Sequence, residues 1–178
     1  MLQKATSIQN LPIFSASSGR KLAQVFDIVI NPDDGNVLAF TIEPKKVFSL
    51  PKVISPKDIW QFSVRGIIIK DDNSIINVNE IVRVEDVLSN KIEIIKSKVY
   101  TEGDKYLGRV KDFVINTNFF CLDRIYIEKP FIKGLLDEGL SIPRQNIVSI
   151  EKNKIIVKND FLVKEKNHEK EAVYEPAL

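Results

Sequence analysis

Apolar residues in this chain come in short β-branched runs separated by polar turns, and the longest of these runs occurs twice. Leu22-Ala23-Gln24-Val25-Phe26-Asp27-Ile28-Val29-Ile30-Asn31 returns as Leu107-Gly108-Arg109-Val110-Lys111-Asp112-Phe113-Val114-Ile115-Asn116, an offset of 85 from Leu22 to Leu107. At the same offset Phe40-Thr41-Ile42-Glu43 meets Ile125-Tyr126-Ile127-Glu128, and a proline follows each, Pro44 and Pro130. Farther on, Ile54-Ser55-Pro56-Lys57-Asp58-Ile59 is echoed by Ile142-Pro143-Arg144-Gln145-Asn146-Ile147. Each leads into a β-rich run, Gly66 to Lys70 or Lys154 to Lys158. Three blocks in one order define an internal duplication, which has to be recognised before any element is assigned.

Each block reads as extended chain. The run Val25 to Ile30 and its partner strand predict a hairpin from Leu22 to Glu43, because Asn31-Pro32-Asp33-Asp34-Gly35 ends on an Asp-Gly step suited to the positive φ of a corner. In the second copy the corner is Asn116-Thr117-Asn118-Phe119; the glycine is gone, and asparagine is the expected left-handed residue. The Pro-x-Asp and Pro-x-x-Asn blocks predict a single helical turn between strands, since proline presets φ and the short polar side chain bonds the local backbone. Between the copies, Ile81, Val84, Val87 and Leu88 fall at helical spacing behind Asn79, so Glu80 to Asn90 reads as a short helix capped by Asn79 and turned inward. The expected organisation is a first repeat over 1–79, a linker helix over 80–92, a second repeat over 93–163 and a flexible charged tail over 164–178.

These residues also carry a family resemblance. Gly19-x-Lys21-Leu22-Ala23-x-Val25-x-Asp27 and Gly103-Asp104-Lys105-Tyr106-Leu107-Gly108-x-Val110-x-Asp112 resemble the G-x-x-L-G-x-V-x-D opening of PRC-barrel domains. Ala23 stands where the family glycine falls in the first copy. The segment Ile142 to Ile147, and more loosely Ile54 to Ile59, is similar to the closing part of the same domain. The resemblance implies a mostly β fold, with two small, strongly bent antiparallel β-barrels in tandem joined by a short helix. It also implies a range of roles without intrinsic catalysis. Among them are the cytoplasmic domain of the photosynthetic reaction-centre H subunit, the carboxy-terminal domain of a ribosome maturation factor, and tandem adaptors in cell division.

Composition narrows the field by exclusion. With 26 basic against 24 acidic residues in 178, the net charge is +2, too small a field to select nucleic acid or an anionic membrane. No apolar run approaches the roughly 20 residues that span a bilayer, so membrane association is expected only through a partner. The lone Cys121 excludes an intrachain disulfide and fits a reducing, cytoplasmic setting. His168, the single histidine, lies in the charged tail away from Cys121, which argues against a nucleophile pair or a zinc site. Asp27 and Asp112 raise a two-carboxylate hypothesis, but equivalent positions in separate modules need not converge. An aspartate there is expected to accept local N–H groups instead. No phosphate-binding loop or dinucleotide fingerprint occurs, since Gly103 to Gly108 lacks the Gly-Lys-Ser/Thr ending. No catalytic residue, metal ligand or cofactor is assigned, and an enzyme is not expected.

The remaining surface candidates are two equivalent loops, Val47 to Pro51 and Pro130 to Leu136, richer in large apolar groups than loops usually are. Phe48, Leu50, Phe131, Ile132, Leu135 and Leu136 are the expected partner-binding residues, unless they pack one barrel on the other. The expected function is a non-catalytic adaptor or scaffold for protein partners in cell division or in a larger assembly, with a homodimer as a further arrangement. The alternative is an RNA-processing or ribosome-assembly factor that binds a ribosomal protein or particle. Nucleic acid itself is a weaker expectation: Arg124, Tyr126, Lys129, Phe131 and Lys133 bring cations and aromatics together, but Glu128, Asp137 and Glu138 dilute them.

Overall fold

In the computed structural model, residues 1–42, 51–128 and 140–159 are described. The strand β1 (Leu2–Lys4) and the one-turn helix α1 (Ala5–Ile8) precede the first barrel. That barrel contains β2 (Pro12–Ser15), β3 (Lys21–Ile30), β4 (Val37–Ile42), β5 (Lys52–Ile54), β6 (Ile59–Ser63), β7 (Gly66–Ile69) and β8 (Ile75–Asn77). The helix α2 (Val82–Ser89) leads to β9 (Lys98–Thr101), β10 (Tyr106–Asn116), β11 (Cys121–Glu128), β12 (Leu140–Pro143), β13 (Ile147–Glu151) and β14 (Lys154–Val157).

The described strands form two curled seven-stranded sheets, ordered β6-β7-β2-β3-β4-β5-β8 and β12-β11-β10-β9-β14-β13, with β1 added beside β10. Pairing is antiparallel as the resemblance implies, except for one parallel pair in each barrel, β2 with β7 and β9 with β14. Both predicted hairpins are present, β3 with β4 and β10 with β11. Their long strands are bulged at equivalent places: the register shifts between Val25 and Asp27, and again between Val110 and Asp112. A bulge adds a residue on one strand, bends it and sharpens its twist, which is how each sheet curls so strongly.

The proline blocks form one-turn 3-10 helices, Pro56–Asp58 and Arg144–Asn146. In the first, the Ser55 hydroxyl accepts the Lys57 N–H. The linker helix is shorter than expected, and Ile81, not Asn79, holds its amino-terminal position. The polar cap has moved upstream: Asn77 and Glu80 close a capping box around the preceding 3-10 turn. The inward stripe is narrower than predicted: Val84 and Val87 are buried against Val29, Ala39 and Val53 of the first barrel, Ile81 is half-buried beside them, and Leu88 is exposed.

The second hairpin corner differs from expectation. Its left-handed residue is Phe120, at φ 48°, and not an asparagine. Phe120 occupies the position of Gly35, at φ 81° in the first copy. A left-handed non-glycine residue costs roughly 1–2 kcal/mol, and packing offsets it. The Phe120 ring meets Phe40 edge-on at 6.2 Å and Phe62 at 6.3 Å. That trio joins the barrels into one core, in which Ile13, Val25, Phe40 and Ile67 pack with Val99, Val110, Ile125 and Ile155.

Candidate functional site

The two repeats meet along the tips of their hairpins, and the contact is reciprocal. The Val37 N–H donates to the Phe120 carbonyl at 2.7 Å, and the Leu122 N–H donates to the Gly35 carbonyl at 2.7 Å. At an offset of 85, Val37 corresponds to Leu122 and Gly35 to Phe120, so the two bonds are one bond related by a local twofold. Between them Asn36 bridges Cys121, its own equivalent. Cys121 is therefore a half-buried ladder residue in β11. Arg144 of the second repeat reaches across to the Asp33 carbonyl at 3.1 Å, and Arg83 of α2 pairs with Asp33 from its own side.

The amino-terminal residues cross to the other barrel. Leu2, Gln3 and Lys4 pair with Asn116, Ile115 and Val114 of β10, and the Thr117 N–H donates to the Met1 carbonyl at 2.8 Å. Sequence reasoning missed this, because nothing in a three-residue strand names its partner.

Both signature aspartates follow the same bulge and accept the next residue's N–H at 2.8 Å, Asp27 from Ile28 and Asp112 from Phe113. This is the local backbone role expected from the sequence. Beyond it they part. Asp112 is buried and also accepts the Thr6 hydroxyl at 2.6 Å and the Thr6 N–H at 3.3 Å, both from the crossing segment. Asp27 accepts nothing further on its carboxylate from any described residue, although its backbone carbonyl accepts the Thr41 hydroxyl at 3.3 Å. Its own N–H donates to the Thr41 hydroxyl at 2.9 Å, and its carboxylate opens into a cavity of about 320 Å³ between the first barrel and the 92–95 segment. Burial pushes the Asp27 carboxyl above its usual range; the Ile28 N–H opposes this, and the negative charge of Glu93 adds to it. The two aspartates line different depressions, with Asp112 facing Lys4, Lys111 and Tyr126. They do not form a catalytic pair.

The bulges also decide which side chains face out. Opposite Ile42 and Thr41, the inserted residue is Phe26, which is 57% exposed; its counterpart in the second repeat is the exposed Lys111. A second bulge interrupts the pairing of β6 with β7 between Ile59 and Gln61, and leaves Trp60 73% exposed. In the second repeat the same bulge, between Ile147 and Ser149, exposes Val148. The available signal for Trp60 was that a single tryptophan lay in an edge run next to a proline turn. Strict alternation could not say which way it pointed.

The candidate loop residues Phe48, Leu50, Phe131, Ile132, Leu135 and Leu136 lie outside the described residues, as do Lys129, Lys133 and His168. Of the proposed basic patch, Arg124 is engaged by the Asp123 carboxylate at 2.7 Å, which together with the charge raises its pKa, and Tyr126 lies under the Lys4 ammonium at 5.5 Å. Among the described residues no group of histidine, cysteine and carboxylate side chains has the arrangement of a metal site, and no helix is long and apolar enough to cross a membrane.

Two bent barrels of equivalent topology, related by a local twofold, define a tandem β-barrel module. The PRC-barrel domain model matches residues 3–87 and again residues 92–163. The chain belongs to the PRC-barrel family and holds two copies of its domain. No curated protein matches it.

Proposed function

We propose that the protein is a non-catalytic adaptor in which the two barrels present different surfaces to protein partners and so assemble a larger complex. The carrying observation is that equivalent bulges display aromatic side chains only in the first repeat: Phe26 and Trp60 there, Lys111 and Val148 in the second. Aromatic groups held outward on a rigid strand lose little conformational freedom on binding and contribute much of the energy at protein interfaces. Trp60 sits on β6, the end strand of its sheet among the described residues, where an unpaired edge suits an added strand from a partner. That PRC-barrels commonly serve as interaction modules fits this reading.

The test is crosslinking and co-purification from cells with the tagged full chain. Trp60→Lys is expected to remove partners that Val148→Lys retains, with thermal unfolding of both close to that of the native chain. Phe131→Asp and Leu135→Asp probe the loop surface in the same way. If every partner survives all of these substitutions, the adaptor surface is wrongly placed.

A further inference from the structure

The local twofold makes each repeat a control for the other, and the aspartate site is where they disagree. Ile8 and Ile94 are both buried, and Asn10 and Lys96 are both left-handed, at φ 65° and 69°. An offset of 86 from Asn10 to Lys96 places Ile92 where the first segment has Thr6. On Asp112, Thr6 supplies a hydroxyl and an N–H. At Asp27 that seat is lined by Ile92, with Glu93 beside it, and no described residue supplies a donor in place of Thr6.

What stands there is the cavity. Its apolar wall comes from Ile28, Ile42, Pro51, Leu88, Ile92 and Phe113, and its polar groups are Asp27, Glu93 and Thr41. Ligand sites combine a largely apolar lining with a few convergent polar groups in this size range. A carboxylate partly withdrawn from water, near a second carboxylate, is stabilised by an incoming positive donor more than by a neutral one.

We propose that this cavity binds a small amphipathic amine, with the ammonium donating to the Asp27 carboxylate within reach of the Glu93 charge and the hydrocarbon body against Ile92 and Phe113. The ligand supplies to the first repeat the donor that Thr6 supplies to the second. Phe26 lies at this site as well as on the proposed partner surface, but Trp60 does not, and the proposal stands whether or not Trp60 binds a partner.

The full chain, labelled for amide NMR, is titrated with benzylamine, benzyl alcohol and benzoate. Benzylamine is expected to shift the Asp27, Ile28, Thr41 and Glu93 amides saturably, about tenfold or more tighter than benzyl alcohol, with no effect from benzoate. Asp27→Asn should abolish the preference of amine over alcohol while leaving the remaining spectrum native. Glu93→Gln, on an exposed side chain that bears little of the fold, should weaken it. Equal binding of amine and alcohol, no saturable shift with benzylamine, or an undiminished preference in Asp27→Asn would each overturn the proposal.

Discussion

The hydrogen bond between Thr6 and Asp112 joins residues 106 positions apart and carries a sharp energetic prediction. Asp112 is a buried carboxylate that accepts three hydrogen bonds, at 2.6, 2.8 and 3.3 Å, two of them from Thr6. Thr6→Ala removes the shortest of these and leaves the carboxylate oxygen without its hydroxyl. For a charged acceptor that loss costs about 1.5–3 kcal/mol, or roughly 3–12 °C in Tm for a domain of this size. Thr6→Ser keeps the donor and should cost far less. Asp112→Asn keeps an oxygen for the Phe113 N–H but loses the charge, and is expected to destabilise by about 1–2 kcal/mol. The assay is urea unfolding followed by circular dichroism, with the double variant completing the cycle. Thr6→Ala should cost at least about 1 kcal/mol less in the Asp112→Asn background than in the native chain. Additive losses, within about 0.5 kcal/mol, would refute the reasoning that this bond fastens the crossing segment to the second barrel.

The equivalent substitution in the first repeat should behave oppositely. Because burial raises the Asp27 pKa in the folded state, its ionised form opposes folding at neutral pH; the penalty is complete above the folded pKa and is relieved as pH falls through it toward the unfolded value. Asp27→Asn is therefore expected to raise Tm at pH 7, with the difference from the native chain shrinking on acidification, as a pH series of thermal melts would show; a loss of stability at pH 7 would contradict this. At the hairpin corner, Gly35→Ala forces a side chain onto a left-handed backbone and places its Cβ 2.5 Å from Arg144 Nε. It should lower stability by about 1–2 kcal/mol, measurable in the same unfolding assay, and no loss would mean that the corner relaxes freely.

Much of the architecture was legible before any coordinates. The repeat, the two hairpins, the proline turns and the inward face of the linker helix are local patterns, and local propensity, turn chemistry and apolar periodicity suffice to write them. What stayed hidden depends on partners distant in the chain or on a single inserted residue. The left-handed Phe120 runs against its intrinsic preference, and is held by Phe40 and Phe62 from the other repeat. Trp60 and Phe26 face outward because one extra residue in a strand reverses the alternation that pattern reading relies on.

The aspartates show the division most clearly. By itself the sequence placed Asp27 and Asp112 at equivalent positions and assigned both the same local backbone bond, which each makes. Tertiary structure alone decided that Thr6 would travel to Asp112, leaving Asp27 to face a cavity. The crossing segment is short and of mixed polarity, with no periodicity that selects one barrel over the other. Its destination is set by pairing with β10 and by burial against a strand more than a hundred residues away.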